Sequence, residues 1–350
     1  MKKTLSIIIP LYNSELYIAD CLNSIFNQGM SLDDFEVVIV NDGSTDNSVQ
    51  IVTEFIKKYP NIIISNQANQ GQSAARNNGI KQACGKYICF MDSDDFWIPG
   101  SFKTIYKYLN NLNNSSLILD LITFGITEGF KTFYDFVELP ENSEDQKYTT
   151  YVNGIQYISE NNYNNGPWWY LIRKDFVVNN HLYFQEGKLC EDGMLTMTAL
   201  LKAGTIVQFK KPIVYYYVLR PNSTMKTQDA QKREKVIEGF LFAIEYFHNL
   251  INLQQDLSEK CLARLQTRLN SYEFYLLARI MKSGNAKRGL SIIKELKSKG
   301  LYPLLYMGPP DYPHKSTKVI TSIFNKPFLY SIGCRIFDIK NKYQNLKNSK

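Results

Sequence analysis

Leu5-Ser6-Ile7-Ile8-Ile9-Pro10-Leu11-Tyr12-Asn13 sets the pattern from which the fold is read. An apolar, β-branched run stops at Pro10, Tyr12 and Asn13, as a strand buried on both faces does where it passes into a loop. Similar runs return at 36–40, 62–65 and 87–91, and the stretches between them, near 15–27, 46–58 and 72–83, carry helical spacing. Strand and helix in alternation predict right-handed βαβ units on a parallel sheet. Turn chemistry at Asp42-Gly43-Ser44-Thr45-Asp46 and at Asn69-Gln70-Gly71-Gln72-Ser73 marks two of the helix starts.

Beyond residue 100 the pattern is mixed. It comprises an amphipathic stretch at 101–112, a strand-like run at 117–124, a polar loop at 139–150 and an aromatic-rich piece at 168–172. A helical stretch at 191–203 and strands near 205–209 and 213–219 follow. From about 226 the spacing is helical, through 234–251, 259–281 and 286–297, then a proline-marked connection and a last helical segment. The expectation is an α/β chain: a Rossmann-like, mostly parallel sheet flanked by helices over 1–225, then a helical region over 226–350. Charge divides at the same place. Residues 1–225 carry 18 basic against 23 acidic side chains, and residues 226–350 carry 22 against 10. A basic helical region suits an anionic membrane surface, an anionic substrate or plain solubility.

With 350 residues, 44% of them apolar and 21% charged, the chain is a globular one, which excludes disorder and fibrous repeats. Six scattered cysteines without a C-x-x-C pair, and three histidines, indicate neither a disulfide scaffold nor a zinc site. Met1-Lys2-Lys3 before the 5–9 run has the shape of a signal-peptide start. Pro10, Asn13 and Glu15 break that run too early. No stretch reaches the ~18 apolar residues of a membrane span, so a cytoplasmic protein is expected.

In open α/β sheets ligands sit beyond the carboxyl ends of the strands. Four polar loops fall there: 10–13, 41–43, 66–71 and 92–95. The fourth, Phe90-Met91-Asp92-Ser93-Asp94-Asp95-Phe96, sets three carboxylates directly after an apolar strand. Like charges ~4 Å apart repel by ~4 kcal/mol at an effective dielectric of ~20, so a cation is called for. Oxygen ligands without Cys or His favour Mg2+ or Mn2+, ions that complete their shell with water and phosphate oxygens. The plain alternative is a solvated Asx-type turn. Neither a G-x-G-x-x-G nor a Walker A loop follows the first strand.

Four motifs, Ser6–Asn13 in the first strand, Val37-Val38-Ile39-Val40-Asn41-Asp42-Gly43-Ser44-Thr45-Asp46, Asn69-Gln70-Gly71-Gln72-Ser73-Ala74-Ala75-Arg76-Asn77 and Met91-Asp92-Ser93-Asp94-Asp95, resemble the family 2 glycosyltransferases in order and spacing. The likeness is close over about the first 100 residues. It continues loosely to about 225 through Leu189-Cys190-Glu191-Asp192-Gly193 and Tyr217-Val218-Leu219-Arg220-Pro221-Asn222-Ser223. The resemblance implies a GT-A fold and inverting transfer of sugar from a UDP-sugar to a glycan or lipid-linked acceptor, with Mn2+ or Mg2+ and no nucleic-acid partner. Bacterial surface polysaccharide or glycolipid synthesis is the implied setting. It divides 1–225 into a nucleotide half, about 1–100, and an acceptor half, about 101–225.

By matching motif, Pro10, Tyr12 and Asn13 would line the base pocket, Asp42 would bond the uracil, Arg76 would brace the nucleotide and Asp92 would face the ribose. Asp94, with Asp92, would hold the metal, and Arg220 the diphosphate. Asp192 would be the catalytic base, with Glu191 orienting it. That pair opens a helical stretch, so its acids also suit the positive end of a helix macrodipole. Asp95 would ligate or cap the following helix. Trp168 and Trp169 would stack on an acceptor sugar or simply pack. Two other readings stay open: a catalytically silent nucleotide-sugar-binding or scaffold protein, and a sugar-phosphate nucleotidyltransferase, which lacks its expected glycine-rich basic loop here.

Overall fold

The computed structural model describes residues 3–112, 115–138, 147–220, 230–305 and 315–348. It divides into two compact units, Met1–Lys226 and Thr227–Lys350. In the first, β1 (Leu5–Leu11), α1 (Ile18–Phe26), β2 (Phe35–Asn41), α2 (Ser48–Lys58), β3 (Ile62–Asn66), α3 (Gln72–Gln82) and β4 (Tyr87–Phe90) alternate as the sequence predicts. Then come β5 (Phe96–Trp97), α4 (Lys103–Leu112), β6 (Leu121–Gly129), β7 (Tyr148–Tyr151), α5 (Gly154–Glu160), β8 (Tyr170–Arg173), α6 (Lys174–Asn179), α7 (Glu191–Lys202) and β9 (Ile206–Val218).

The nine strands form one sheet in the order β3-β2-β1-β4-β8-β6-β9-β5, with β7 also paired to β9. β1, β2, β3 and β4 run parallel, and β6 and β9 do so again; β8, β5 and β7 pair antiparallel. Helices cover the parallel half closely. A Cβ at Gly79 in α3 would lie 2.3 Å from Ile8 Cγ2, so only glycine lets the helix settle on β1 at this distance. On the opposite face of the sheet the core joins Ile7, Ile9 and Leu11 to Val37, Ile39, Trp97, Phe102 and Tyr215. Because the strands are parallel, their carboxyl ends and the loops that leave them share one edge.

Two sequence expectations shift. The run at 117–124 begins as a strand only at Leu121, and Ile118 stays exposed. The two strands near 205–209 and 213–219 are one, β9, which passes through Pro212 with a register shift against Gly125 of β6. Proline removes a ladder donor, and the irregularity absorbs that loss without ending the strand. Most of the expected 139–150 loop and the 306–314 connection lies outside the described residues.

The second unit contains α8 (Ala230–Asn252), α9 (Glu259–Ser283), α10 (Ala286–Ser298), α11 (Lys315–Phe324) and α12 (Pro327–Asn348). Ser258 caps α9 by accepting from the Cys261 amide, and Asn285 caps α10 by accepting from the Arg288 amide. The expected last helical segment is two helices, because Pro327 starts a new one where its missing N–H is not needed.

In α9, Glu273 is buried with Oε1 unpartnered, and burial pushes its carboxyl up to about 8. A raised folded pKa favours the native state below the unfolded value near 4.5, and that contribution is lost as pH climbs through about 8. A tenfold change in proton affinity between the two states corresponds to about 1.4 kcal/mol. Glu273→Gln, which cannot ionise, should therefore melt like the parent near pH 4.5 and several degrees above it at pH 9. A melting difference that is constant with pH would show that the carboxyl stays ionised in the fold.

Candidate active site

α3 begins where the loop after β3 turns back to the sheet, and Gly71 makes that turn with φ +89°. Its amide donates to Asp42 Oδ2 at 2.8 Å, while Asp42 Oδ1 accepts from the Gln70 amide and from Gln67 Nε2 at 2.8 and 2.9 Å. Asp42 is thus a buried pin between the end of β2 and the start of α3. A carboxylate offers about four acceptor sites, so three donors leave one. Beside it, Asn13 sits in the left-handed region with φ +46° and accepts from the Thr45 amide at 2.8 Å. Pro10 is half-buried at the strand end, and the Tyr12 ring is half-exposed above it.

One helical turn into α3, Arg76 projects from the same face as Gln72. It is 1% exposed, and its guanidinium joins two distant parts of the chain. Nη2 donates to Asp92 Oδ1, just after β4, and Nη1 donates to Asp192 Oδ1, at the first turn of α7, each at 2.6 Å. Glu191 Oε1 lies 3.5 Å from Nη1 and also accepts from Gln72 Nε2. Burial works against the charge of the guanidinium, yet the three carboxylates around it outweigh that cost and raise its pKa.

The two acids at the head of α7 differ. Glu191 is buried and held from two sides, whereas the Asp192 side chain is 26% exposed. Loss of solvent, helped by the charges of Glu191 and Asp92, pushes Asp192 up to about 8 despite the pull of Arg76. A carboxyl so placed can exchange a proton near neutral pH.

The acidic loop after β4 is sorted in the same way. Asp95 does not start a helix: it is buried, accepts from Tyr215 Oη at 2.7 Å and from the Val218 amide at 2.8 Å, and so ties the loop to β9. Burial beside Asp92 raises its pKa well above the carboxylate range. Tyr215 Oη in turn accepts from the Asp92 amide at 3.2 Å. Asp94 is the open member of the group. Arg220 Nη2 lies 3.1 Å from its Oδ2 and donates to its carbonyl at 3.0 Å, with the guanidinium 3.3 Å over the Tyr17 ring centroid. Asn222 and Ser223 lie outside the described residues.

Asp92, Asp94 and Asp95 each offer an oxygen within 4.8 Å of the others. Asp95 is committed to Tyr215 and Val218, so Asp92 and Asp94 remain as partly exposed, hard oxygen donors. The donor set fits a hard divalent cation, and five carboxylates here face two guanidiniums among the described residues, Arg76 and Arg220.

The tryptophans part company. Trp168 is half-buried and stacks on Tyr215 at 4.9 Å, which brings it to the acidic loop through the Tyr215 hydroxyl. Trp169 corrects the expectation for that pair. It is 3% exposed, donates from Nε1 to the Asn164 carbonyl and stacks on Tyr157, so no face of it is open to an acceptor. The pair sits in the turn that leads into β8, and that turn sends the two rings to different neighbours, Tyr215 and Tyr157. Tyr215, Gln72 and Tyr17 went unassigned in the sequence. The alternation of Tyr215 and Tyr217 toward Trp168 was the available signal for the first.

Residues 6–177 match the model of Glycosyl transferase family 2. These residues form a domain of glycosyl transferase family 2. Relatives of this chain include Glycosyltransferase GlyA of Streptococcus pneumoniae, 32% identical over 258 residues, which cover 70% of this chain and 35% of that protein. The Poly(ribitol-phosphate) beta-glucosyltransferase of Bacillus spizizenii is 33% identical over 230 residues, which cover 63% of this chain and 33% of that one. The chain thus spans about a third of the length of these curated relatives. The crystal structure of S. aureus TarS 1–349 in complex with UDP-GlcNAc aligns over 98% of this chain and 92% of its own, with TM-score 0.59 and 22% identity. That likeness carries the fold, and the sheet with its flanking helices is of the GT-A type.

Removing Arg76 leaves three acids facing one another without their cation. Arg76→Met should cost about 3 kcal/mol or more at pH 8. At pH 5 the cost should be smaller, because the stranded carboxyls can take up protons. Chemical denaturation at both pH values measures the difference, and an equal loss at the two would place the cost in packing alone.

Proposed function

We propose that the family 2 unit is an inverting glycosyltransferase that moves a sugar from a UDP-sugar to a hydroxyl of a glycan or lipid-linked acceptor. The observation that carries this reading is the Arg76 bridge, which holds the donor-side Asp92 and the Asp192 carboxyl on one guanidinium. Residues 1–225 would be the catalytic unit, with the nucleotide half about 1–100 and the acceptor half about 101–225.

In this reading Pro10, Tyr12 and Asn13 receive the base, and Asp42 turns its remaining lone pair to the uracil. Arg76 braces the nucleotide, Asp92 faces the ribose, and Arg220 is the guanidinium for the diphosphate, whose oxygens suit its planar fork. Asp94 with Asp92 would hold Mn2+ or Mg2+, which when bound offsets charge gathering on the departing diphosphate. Trp168 is the ring against which an acceptor sugar packs.

Asp192 takes the proton of the acceptor hydroxyl as its oxygen bonds to the anomeric carbon. The bond from that carbon to the diphosphate oxygen breaks, and the electron pair leaves with UDP. Attack opposite the leaving group inverts the centre. Glu191, buried behind Asp192, fixes its position and, by its charge, keeps its pKa up. The glucosyltransferase relative named for poly(ribitol-phosphate) supports a place in cell-surface polymer synthesis. The cellular setting in this reading is the cytoplasm, at an anionic membrane face met by the basic second unit.

Two measurements test this. UDP should raise the melting temperature when Mn2+ or Mg2+ is present and much less without it, since a ligand of the native state stabilises by mass action. Stabilisation of the same size without metal argues against the Asp92–Asp94 ion site. Asp192→Asn should lower transfer by at least about a thousandfold, the upper part of the range for a lost general base, with UDP affinity nearly unchanged. In the parent, kcat/KM should rise with pH toward about 8 as Asp192 loses its proton, and the Asn variant should lack that limb. Transfer that survives in the variant with the same pH profile puts the base elsewhere.

A further inference from the structure

Helix α12 has two apolar faces, and only one is used within its own unit. Tyr330 and Cys334 are buried, with Tyr330 Oη donating to the Leu277 carbonyl at 2.9 Å. Gly333 lies so close to Met281 that a Cβ there would come within 2.7 Å of its methyl carbon. At about 100° per residue, Phe328, Ile332, Ile336, Ile339 and Tyr343 fall within an arc of about 80°, diametrically opposite Tyr330 and Cys334. Four of these five are 61–75% exposed, and Ile332 is 39% exposed. The stripe is about 22 Å long.

Its margins are basic. Arg335 and Lys342 flank one edge and Lys340 the other, all exposed. The sole acid of the helix, Asp338, is partly exposed and pairs with Lys342 at 2.8 Å, leaving Arg335 and Lys340 as the margin cations without an acid partner on their own helix. The helix carries four basic residues against one acidic, in a region with 22 against 10. No helix among the described residues is long and apolar enough to cross a membrane. An apolar stripe with cations at both margins has the form of a helix that lies in the plane of a bilayer interface.

We infer that the outer face of α12 docks on an anionic bilayer surface, with Phe328, Ile332, Ile336, Ile339 and Tyr343 entering the acyl boundary and Arg335, Lys340 and Lys342 meeting the headgroups. Charge complementarity selects this occupant over a second copy of the chain. Two copies joined through this stripe would set like-charged margins against each other, whereas anionic headgroups neutralise both margins at once. The inference deepens the reading of the basic unit under the proposed function and is independent of the sugar-transfer chemistry.

The test uses the full chain and co-sedimentation with vesicles of phosphatidylcholine, alone or mixed with phosphatidylglycerol, at low and high salt. The parent should partition onto the mixed vesicles, weakly onto the neutral ones, and less as salt rises. Ile336→Ser/Ile339→Ser/Tyr343→Ser keeps the charge and changes only exposed positions, and should lower partitioning by about tenfold or more. Arg335→Gln/Lys340→Gln/Lys342→Gln should weaken binding and flatten its salt dependence. Thermal melting of both variants checks that the fold is kept. Serine variants that bind like the parent, or equal binding to neutral vesicles, overturn the proposal. So does a parent that ignores vesicles and forms a dimer which the serine changes dissolve. UDP release from donor without vesicles is read separately, so a failed transfer reaction leaves the docking result interpretable.

Discussion

A single buried guanidinium organises the first unit. Arg76 reaches Asp92 and Asp192 at 2.6 Å each, and those acids stand 100 residues apart in the chain. Ion pairs withdrawn from water offset their desolvation only when geometry and additional hydrogen bonds are good. Here both outer nitrogens of the fork are used, and Gln72 supplies a further donor to Glu191. The bridge therefore does more than stabilise. It fixes the distance between the loop after β4 and the first turn of α7, two elements that no strand pairing connects. Lysine could not replace it, since a point charge cannot hold two carboxylates in one planar fork.

Around that bridge the site is assembled from strand ends whose loops are stitched to one another. Asp42 closes the loop between β3 and α3 with three donors, and Asp95 fastens the acidic loop to β9 through Tyr215 and Val218. Buried acids of this kind serve as anchors. The neighbouring acids that keep solvent contact, Asp92, Asp94 and Asp192, retain free acceptor capacity. Adjacent carboxylates such as Asp94 and Asp95, or Glu191 and Asp192, thus differ by which way each one points: one of each pair is buried and the other keeps solvent contact.

The sequence conveyed the parallel half of the sheet well, because β1 to β4 are short, apolar on both faces and closed by turn residues whose chemistry is local. Asp92, Asp94 and Asp192 were legible for a related reason: each sits at a strand or helix end where a charged residue has no local structural benefit beyond the helix macrodipole, whereas Arg76, one turn inside α3, stood out only through its motif. Orientation was not legible. Whether Trp168 or Trp169 faces the site depends on the conformation of the turn leading into β8, which the residue pair does not itself reveal. Tyr215 was hidden because a tyrosine in an apolar strand reads as core, and it is core; only its hydroxyl, beneath Asp95, does anything else. β9 was split in two because proline is locally a strand breaker, and its tolerance rests on a register shift against a distant partner, Gly125.

The charge balance of the site explains why these features occur together. Five carboxylates at one edge share two guanidiniums, and the excess is relieved in part by proton uptake, since burial and mutual repulsion raise both Asp95 and Asp192. Arg220 relieves more, stacked on Tyr17 against Asp94. An edge held in this state has remaining capacity for positive charge at Asp92 and Asp94 and a proton to release at Asp192, in two places joined by one residue. Filling the first offsets the negative field at the second and lowers its pKa, because the carboxylates feel each other's charge across Arg76 at a few ångströms. Binding of a cationic group at the strand edge and the protonation of Asp192 are therefore linked through the same guanidinium, and the direction follows from electrostatics alone: the cation favours the deprotonated Asp192.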